Sequence, residues 1–327
     1  MVLRSQLDAH HTFLPNQTFD LKTRGSHAVR QDRLNYIEAS GYQIDRLKGP
    51  WLSFEREYYD LIRSAFLKYQ FQARIGNMDG CLIAYHSTSR FFGFQYIPIS
   101  EMDEALFGSN EAGETVFRLC TGVLQDLLDN IASMYEGSIS ATFAASPKEN
   151  LLRIFVQPYD DGRADDAEGP LKLLELRLTD RDGATKENAD QSLPSEITYY
   201  MREHDGNSET SLPIADIRKR LSSVRKVQSI FSSLALPTGV KVSDVVVAAE
   251  RAKDMDPASL DPSDLSVRFP LDIGLSYRNN ASKAVQHLRA LARRGATELK
   301  KQQELEKQTD AKTIIQVKTS LEISEVD

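Results

Sequence analysis

Phe54, Tyr58, Leu61, Ile62, Ala65, Phe66 and Tyr69 recur every three or four residues between positions 53 and 75. This spacing constrains the chain more than any other feature, because it predicts a long amphipathic helix whose apolar stripe must be buried against another layer. Ser53 stands at the N-cap position with Glu55 and Glu57 in the first turn, where carboxylates suit the helix dipole. The run GNMDG at 76–80 ends the helix.

Extended patterns lie on both sides of it. Residues 2–9 and 17–24 read as two strands joined by a loop holding the turn formers Pro15 and Asn16, and 81–87 and 91–99 as two more. Ser100 with Asp103 predicts a capping-box variant opening a short helix, and Phe117, Cys120, Leu124, Leu127, Leu128 and Ile131 mark one face of a longer helix over 113–136. Strands are predicted at 138–145, 151–157 and 171–179, acidic loops at 159–169 and 181–194, and a helix over 213–235. The expected fold is α/β, a mixed central sheet flanked by helices. Residues 1–185 would form the core, 186–295 a helical extension packed on it, and 296–327 a charged tail passing from helix to disorder. The chain opens on MVLRSQLD, already extended in pattern, so an N-terminal part is expected to be missing.

No apolar run approaches the roughly 18–20 residues of a membrane span, so any membrane contact would be peripheral. Cys81 and Cys120 lack the partners of a structural zinc site, and two cysteines in 327 residues fit a reducing compartment. The net charge of −7 is unevenly spread: residues 1–75 carry 11 Lys/Arg against 8 Asp/Glu. A polyanion would therefore be held at this first segment, since phosphate affinity follows local cationic density.

The chemistry with the sharpest geometry lies in the first predicted hairpin. If its loop centres near residue 14, positions summing to 28 face one another and Asp8 lies across from Asp20, with Cβ atoms roughly 4.5–5.5 Å apart. Two carboxylates that close repel unless one is protonated or a cation sits between them. Both could reach one Mg²⁺ or Mn²⁺ at the ~2.1 Å bond length of magnesium. Strand alternation puts Lys22 and Arg24 on the Asp20 face, where Lys22 could bond the attacking water or phosphate and Arg24 could grip a neighbouring phosphate. Phe19 and Leu21 would then point into the core. A triplet of acid, any residue, lysine arises by chance about three times in such a composition, and Glu298-Leu299-Lys300 and Asp310-Ala311-Lys312 also match. From spacing alone, a metal site and a solvated hairpin face both remain open.

Other candidates have simpler structural roles. His10 and His11 fall at a strand end, His86 in a packed strand, and Tyr58, Tyr59, Phe66 and Tyr69 on the helical core stripe. Arg56 and Arg63 should face solvent, and Trp51 should staple the helix entry.

The runs LRSQLDAHHTFLPNQTFDLKTR, GPWLSFEREYYDLIRSAFLKYQFQARIGNMDG and LIAYHSTSRFFGFQYIPISEMDEALFG cover most of residues 1–108. They resemble the C-terminal half of a fungal mitochondrial RNA-processing family known from yeast petite mutants (Pet one-two-seven). The resemblance implies a PD-(D/E)xK, restriction-endonuclease-like core and a 5′-to-3′ exoribonuclease that trims and degrades single-stranded mitochondrial RNA. It places the protein in the matrix, associated with the inner membrane, near RNA-degradation or transcription machinery. It makes Asp8 the first metal-binding aspartate, Asp20 the second acid and Lys22 the motif lysine, with Mg²⁺ or Mn²⁺ as cofactor. It also implies a glutamate on a helix that would precede Met1, and it nominates Gln72 as the glutamine that related nucleases carry on the following helix. A non-catalytic RNA-binding or scaffold protein retaining the fold is the competing class.

Overall fold

Pro15 and Asn16 sit in a tight loop whose ends return on each other: the His11 N–H donates to the Gln17 carbonyl at 3.0 Å, and the Asn16 N–H reaches both oxygens of Asp79 at 3.0 Å. The loop joins β1 (Ala9–His10) to β2 (Thr18–Gly25) in antiparallel register, Ala9 opposite Phe19 and His10 opposite Thr18. In this computed structural model, which describes residues 2–159, 169–178, 196–208, 210–231, 234–261, 263–269 and 276–309, contacts divide the chain into two units. One comprises residues 3–108 with 232–327, the other 109–231 with 1–2.

In the first unit, β2 leads into α1 (His27–Gln31), α2 (Tyr36–Ala39) and α3 (Phe54–Leu61), which Ser53 caps by accepting the Arg56 N–H at 3.1 Å. The helix predicted over 53–75 is continuous but irregular. A π-turn, Ile62–Phe66, separates α3 from α4 (Leu67–Ile75). This long crossover allows β3 (Gly80–His86) to lie parallel to β2, with Asp20 opposite Cys81 and Lys22 opposite Ile83. β4 (Phe91–Pro98) then returns antiparallel and α5 (Ile99–Phe107) follows. The sheet order is β1-β2-β3-β4.

Leu61, Phe66, Cys81, Ile83, Tyr85, Ile97 and Met102 form the core between this sheet and the helices on one face. On the other face Leu21 is 46% exposed, and Phe91 and Phe94 lie stacked and exposed. A second cluster joins Ala28, Val29, Ala39 and Tyr42 to Leu288 and Ala292 of the C-terminal helix Lys283–Thr309.

In the second unit α6 (Asn110–Ala132) precedes a four-stranded antiparallel meander: β5 (Ile139–Ser146), β6 (Leu151–Pro158), β7 (Lys172–Leu178) and β8 (Tyr199–His204). Alternation along β6 directs Ile154 and Val156 to a cluster with Leu127 and Ile131 of α6. It directs Phe155 to Ile217 and Leu221 of α7 (Ile214–Phe231) on the opposite face.

Several expectations are revised. Of the strand predicted at 2–9 only Ala9 joins a ladder, with His10 just beyond it, because β2 pairs with β1 solely next to the loop. Strands β5–β7 form a separate sheet with its own two cores and do not extend the central one. Contacts divide the chain after residue 108 and after residue 231. The charged segment beyond 295 continues an established helix to Thr309, while residues 310–327, where disorder was expected, lie outside the described residues. Asp103 caps nothing. It is buried and accepts hydrogen bonds from Gln70 at 2.8 Å and Arg74 at 2.6 Å, while Pro98 occupies the cap of α5. Strand β8 and a helix, Val242–Ala252, had not been anticipated.

Two glycines within helices show how local approach sets the sign of a substitution. A Cβ on Gly295 would lie 2.3 Å from the Gly41 carbonyl oxygen, so the C-terminal helix seats there only without a side chain. A Cβ on Gly122 of α6 meets nothing within 4 Å. Gly295→Ala is expected to destabilise by about 1–3 kcal/mol through overpacking, whereas Gly122→Ala should stabilise by about 0.5–1 kcal/mol through helix propensity. Urea denaturation midpoints measured side by side check both signs.

Candidate active site

The observed register places Asp8, one residue beyond the β1 ladder, across from Asp20. Asp8 is tied down by the Leu21 N–H, which donates to its Oδ2 at 3.1 Å, while the side chain itself stays exposed. Asp20 is fully buried. With both acids ionised, neither Asp20 oxygen meets a donor of good hydrogen-bond geometry, and the Lys22 ammonium stands beside Oδ2 as an ion pair. A proton on Asp20 lets it donate to Asp8. Burial, and then the Asp8 contact, raise the Asp20 carboxyl above its ordinary range despite Lys22. The same contact, with the Leu21 amide and Lys22, lowers Asp8. Two carboxyls in contact therefore titrate as a coupled pair, with Asp8 the more readily ionised member.

β2 turns its polar side inward. Asp20 and Arg24 are buried and Lys22 is partly so, while Leu21 and Thr23 face solvent. The expectation that Phe19 and Leu21 form the core face is thus corrected for Leu21; Phe19 is half-buried with its ring edge-on to Tyr96. The reason is the helical layer, which lies over the Asp20 face: the Tyr69 ring of α4 sits 5.7 Å from the Lys22 ammonium.

Arg24 is also corrected. It is only 6% exposed and its guanidinium donates to the Ser64 hydroxyl of the π-turn at 3.1 Å, so it does not stand free to grip an RNA phosphate. Burial, followed by the neighbouring Arg30, lowers its pKa, and Glu57 opposes this. Gln72 does not join the acidic pair through any hydrogen bond or ion pair among the described residues; it lines a groove with Arg4, Ser5, Gln6, Leu67, Lys68 and Phe71. The neighbouring Gln70 is fully buried on Asp103.

Below the end of β2 lies a network that sequence reasoning missed. Glu57 is fully buried, accepting the His27 N–H at 2.7 Å and pairing with Arg30. Asp60 binds His27 Nδ1 at 2.6 Å, Arg30 at 2.7 Å and Arg56 at 3.1 Å. Burial opposes ionisation of Asp60, but His27, Arg56 and Arg30 together hold its pKa below the usual value. Arg56, expected to face solvent, is instead half-buried over the Trp51 ring at 5.1 Å. The i,i+4 spacing of Arg56 and Asp60 was the available signal.

Among the described residues no group of three or more His, Cys, Asp or Glu could hold a metal ion. Among those residues the site offers two carboxylates. They suit a divalent cation nonetheless: the buried Asp20 oxygens lack aligned donors, and the repulsion with Asp8 is what a 2+ charge would relieve.

The fold and this site define an α/β protein with an acidic pair and a lysine on one sheet strand and its hairpin partner. Residues 1–129 match the family model described as mitochondrial protein Pet127. The chain is 46% identical over 166 residues to "mRNA degradation protein pet127, mitochondrial" of Schizosaccharomyces pombe, a match covering 49% of this chain and 32% of the relative. It is 51% identical over 113 residues to "Putative mitochondrial translation system component PET127" of Saccharomyces cerevisiae, covering 33% of this chain and 14% of the relative. The matched region thus spans a third or less of the curated relatives.

Because Asp20 binds its proton more tightly in the folded state, its charge opposes folding above that raised pKa and the penalty disappears as pH falls below the ordinary aspartate range. Asp20→Asn is therefore expected to raise the urea midpoint at pH 7, with the difference shrinking on acidification. Equal midpoints at pH 7 would contradict the buried-charge assignment.

Proposed function

We propose that this chain carries part of the catalytic core of a mitochondrial, metal-dependent 5′-to-3′ exoribonuclease with a PD-(D/E)xK-type fold, acting in RNA processing and degradation. The reading rests on one observation: the Asp8 and Asp20 carboxyls touch on one face of the hairpin with the Lys22 ammonium alongside. The names of the relatives, one an mRNA degradation protein and both mitochondrial, support it.

Asp8 and Asp20 would hold Mg²⁺ or Mn²⁺. When bound, such an ion lowers the pKa of a coordinated water and offsets charge developing on the phosphate oxygens. Asp8, exposed and anchored by the Leu21 amide, faces the incoming substrate, while Asp20 anchors the site from below. Lys22 is held between Asp20 and the Tyr69 ring, which restricts its ammonium to a narrow range of positions. From there it donates to a non-bridging phosphate oxygen or to the attacking water.

The substrate would be single-stranded mitochondrial RNA, and the site of action the matrix, with peripheral contact to the inner membrane; no described helix is long and apolar enough to cross a membrane. A second reading is an RNA-binding or scaffold protein that retains the fold; among the described residues no third metal-ligating side chain joins the pair.

Digestion of end-labelled RNA by the full chain with Mg²⁺ decides between them. Asp8→Ala and Lys22→Ala are each expected to lower the rate by at least ~10²-fold, as removal of a transition-state donor or metal ligand does, and EDTA should abolish it. Equal rates in all three proteins would remove the proposed roles.

A further inference from the structure

We propose that the groove between residues 4–6 and α4 is a nucleotide subsite of the same active site, in which Phe71 stacks a base and Arg4 and Lys68 hold the flanking phosphates. The inference rests on the reading that the chain acts on single-stranded RNA, and it names where that strand lies.

The groove has a volume of about 590 Å³ and is walled by Arg4, Ser5, Gln6 and Leu67, Lys68, Phe71, Gln72 and Ile75. Its size falls within the ~300–1,000 Å³ of small-molecule sites. The lining is mostly apolar, with one aromatic ring, and its charged members are both cations. An apolar floor with a ring and a cationic rim matches a base attached to a phosphodiester backbone, since every base presents a π-face and every linkage a negative charge.

Position makes the same case. Residue 8 follows residue 6 by two peptide units, at most ~7 Å of extended chain, so the groove wall leads directly to Asp8. The opposite wall is the face of α4 that carries Leu67, Lys68, Phe71 and Ile75; the other side of the same helix brings Tyr69 to Lys22. The two walls meet at Gly76, where an added Cβ would come within 3.2 Å of the Ser5 Cβ. Ser5 Oγ is buried there without a hydrogen-bond partner among the described residues. Gln72 is thereby reassigned from catalysis to binding, as an amide on the groove wall able to bond a base edge.

The test measures binding separately from cleavage. Fluorescence anisotropy of a 5′-labelled single-stranded RNA oligonucleotide is recorded with the full chain carrying Asp8→Ala, in EDTA, across a salt series. Adding Lys68→Glu, a change at an exposed side chain, should weaken binding about tenfold and flatten the log Kd against log salt slope by about one. Adding Phe71→Leu, which keeps apolar bulk, should weaken it roughly tenfold, and Phe71→Tyr should leave it nearly intact. Binding within twofold of the parent for both Lys68→Glu and Phe71→Leu, with an unchanged slope, overturns the subsite and leaves the groove to an apolar peptide. If the Asp8-containing chain binds RNA through the groove yet cuts none, the nuclease reading fails while the subsite stands. If it cuts RNA that Lys68→Glu binds normally, the reverse holds.

Discussion

A carboxylate with no aligned donor, buried between a sheet and a helix, governs the arrangement of this unit. Removing a charge from water costs several kcal/mol even after relaxation, and the Asp20 cost is only partly offset by the adjacent Lys22. The neighbouring positions reflect this. β2 presents polar residues where its partner β3 presents Cys81, Ile83 and Tyr85, all fully or nearly fully buried. The Cys81 thiol beside Asp20 is pushed up to about 12, by burial first and by that carboxylate second, so it offers neither a third ligand nor a nucleophile. The helical layer contributes Tyr69 to Lys22, Ser64 to Arg24, and Glu57 to the chain just beyond the strand. Such uncompensated burial is a local conflict of the kind proteins retain at functional sites.

How much of this could be read from the residues depends on the signal each element carries. The hairpin register was legible because Pro15 and Asn16 place the loop centre, and a strand period of two then determines every facing pair. Which side of β2 faces inward was not. Alternation distinguishes two faces but assigns the apolar one to the core by default, and here Leu21 is exposed while Asp20 is buried. The amphipathic stripe over 53–75 located its helix well, since Leu61 and Phe66 are fully buried. Strands β5 to β7 were recognised individually, but their pattern says nothing about whether they join the first sheet; only partners distant in sequence, such as Ile217 and Leu221 for Phe155, decide that. Asp103 was misjudged for the same reason: an aspartate in a first turn reads as a cap until Gln70 and Arg74 are placed on it.

The site and the family match coincide along the chain. Asp8, Asp20, Lys22, Tyr69 and Phe71 all fall within residues 1–129, and that stretch holds the whole mixed sheet. Residues 109–231 instead build a second sheet with a helix on each face, an arrangement that buries both sides and leaves its chemistry to loops and edges.

The π-turn at Ile62–Phe66 has a consequence for how the two walls of the site stay aligned. It holds one residue more than regular α-helical winding would, and each residue turns the helix by about 100°. Losing a single residue there would spin everything downstream by that angle, swinging Tyr69 off the lysine and Phe71 out of the cleft while the apolar heptad-like stripe upstream stayed seated. The wide turn thus acts as an angular spacer, phasing one half of a helix for packing and the other half for chemistry.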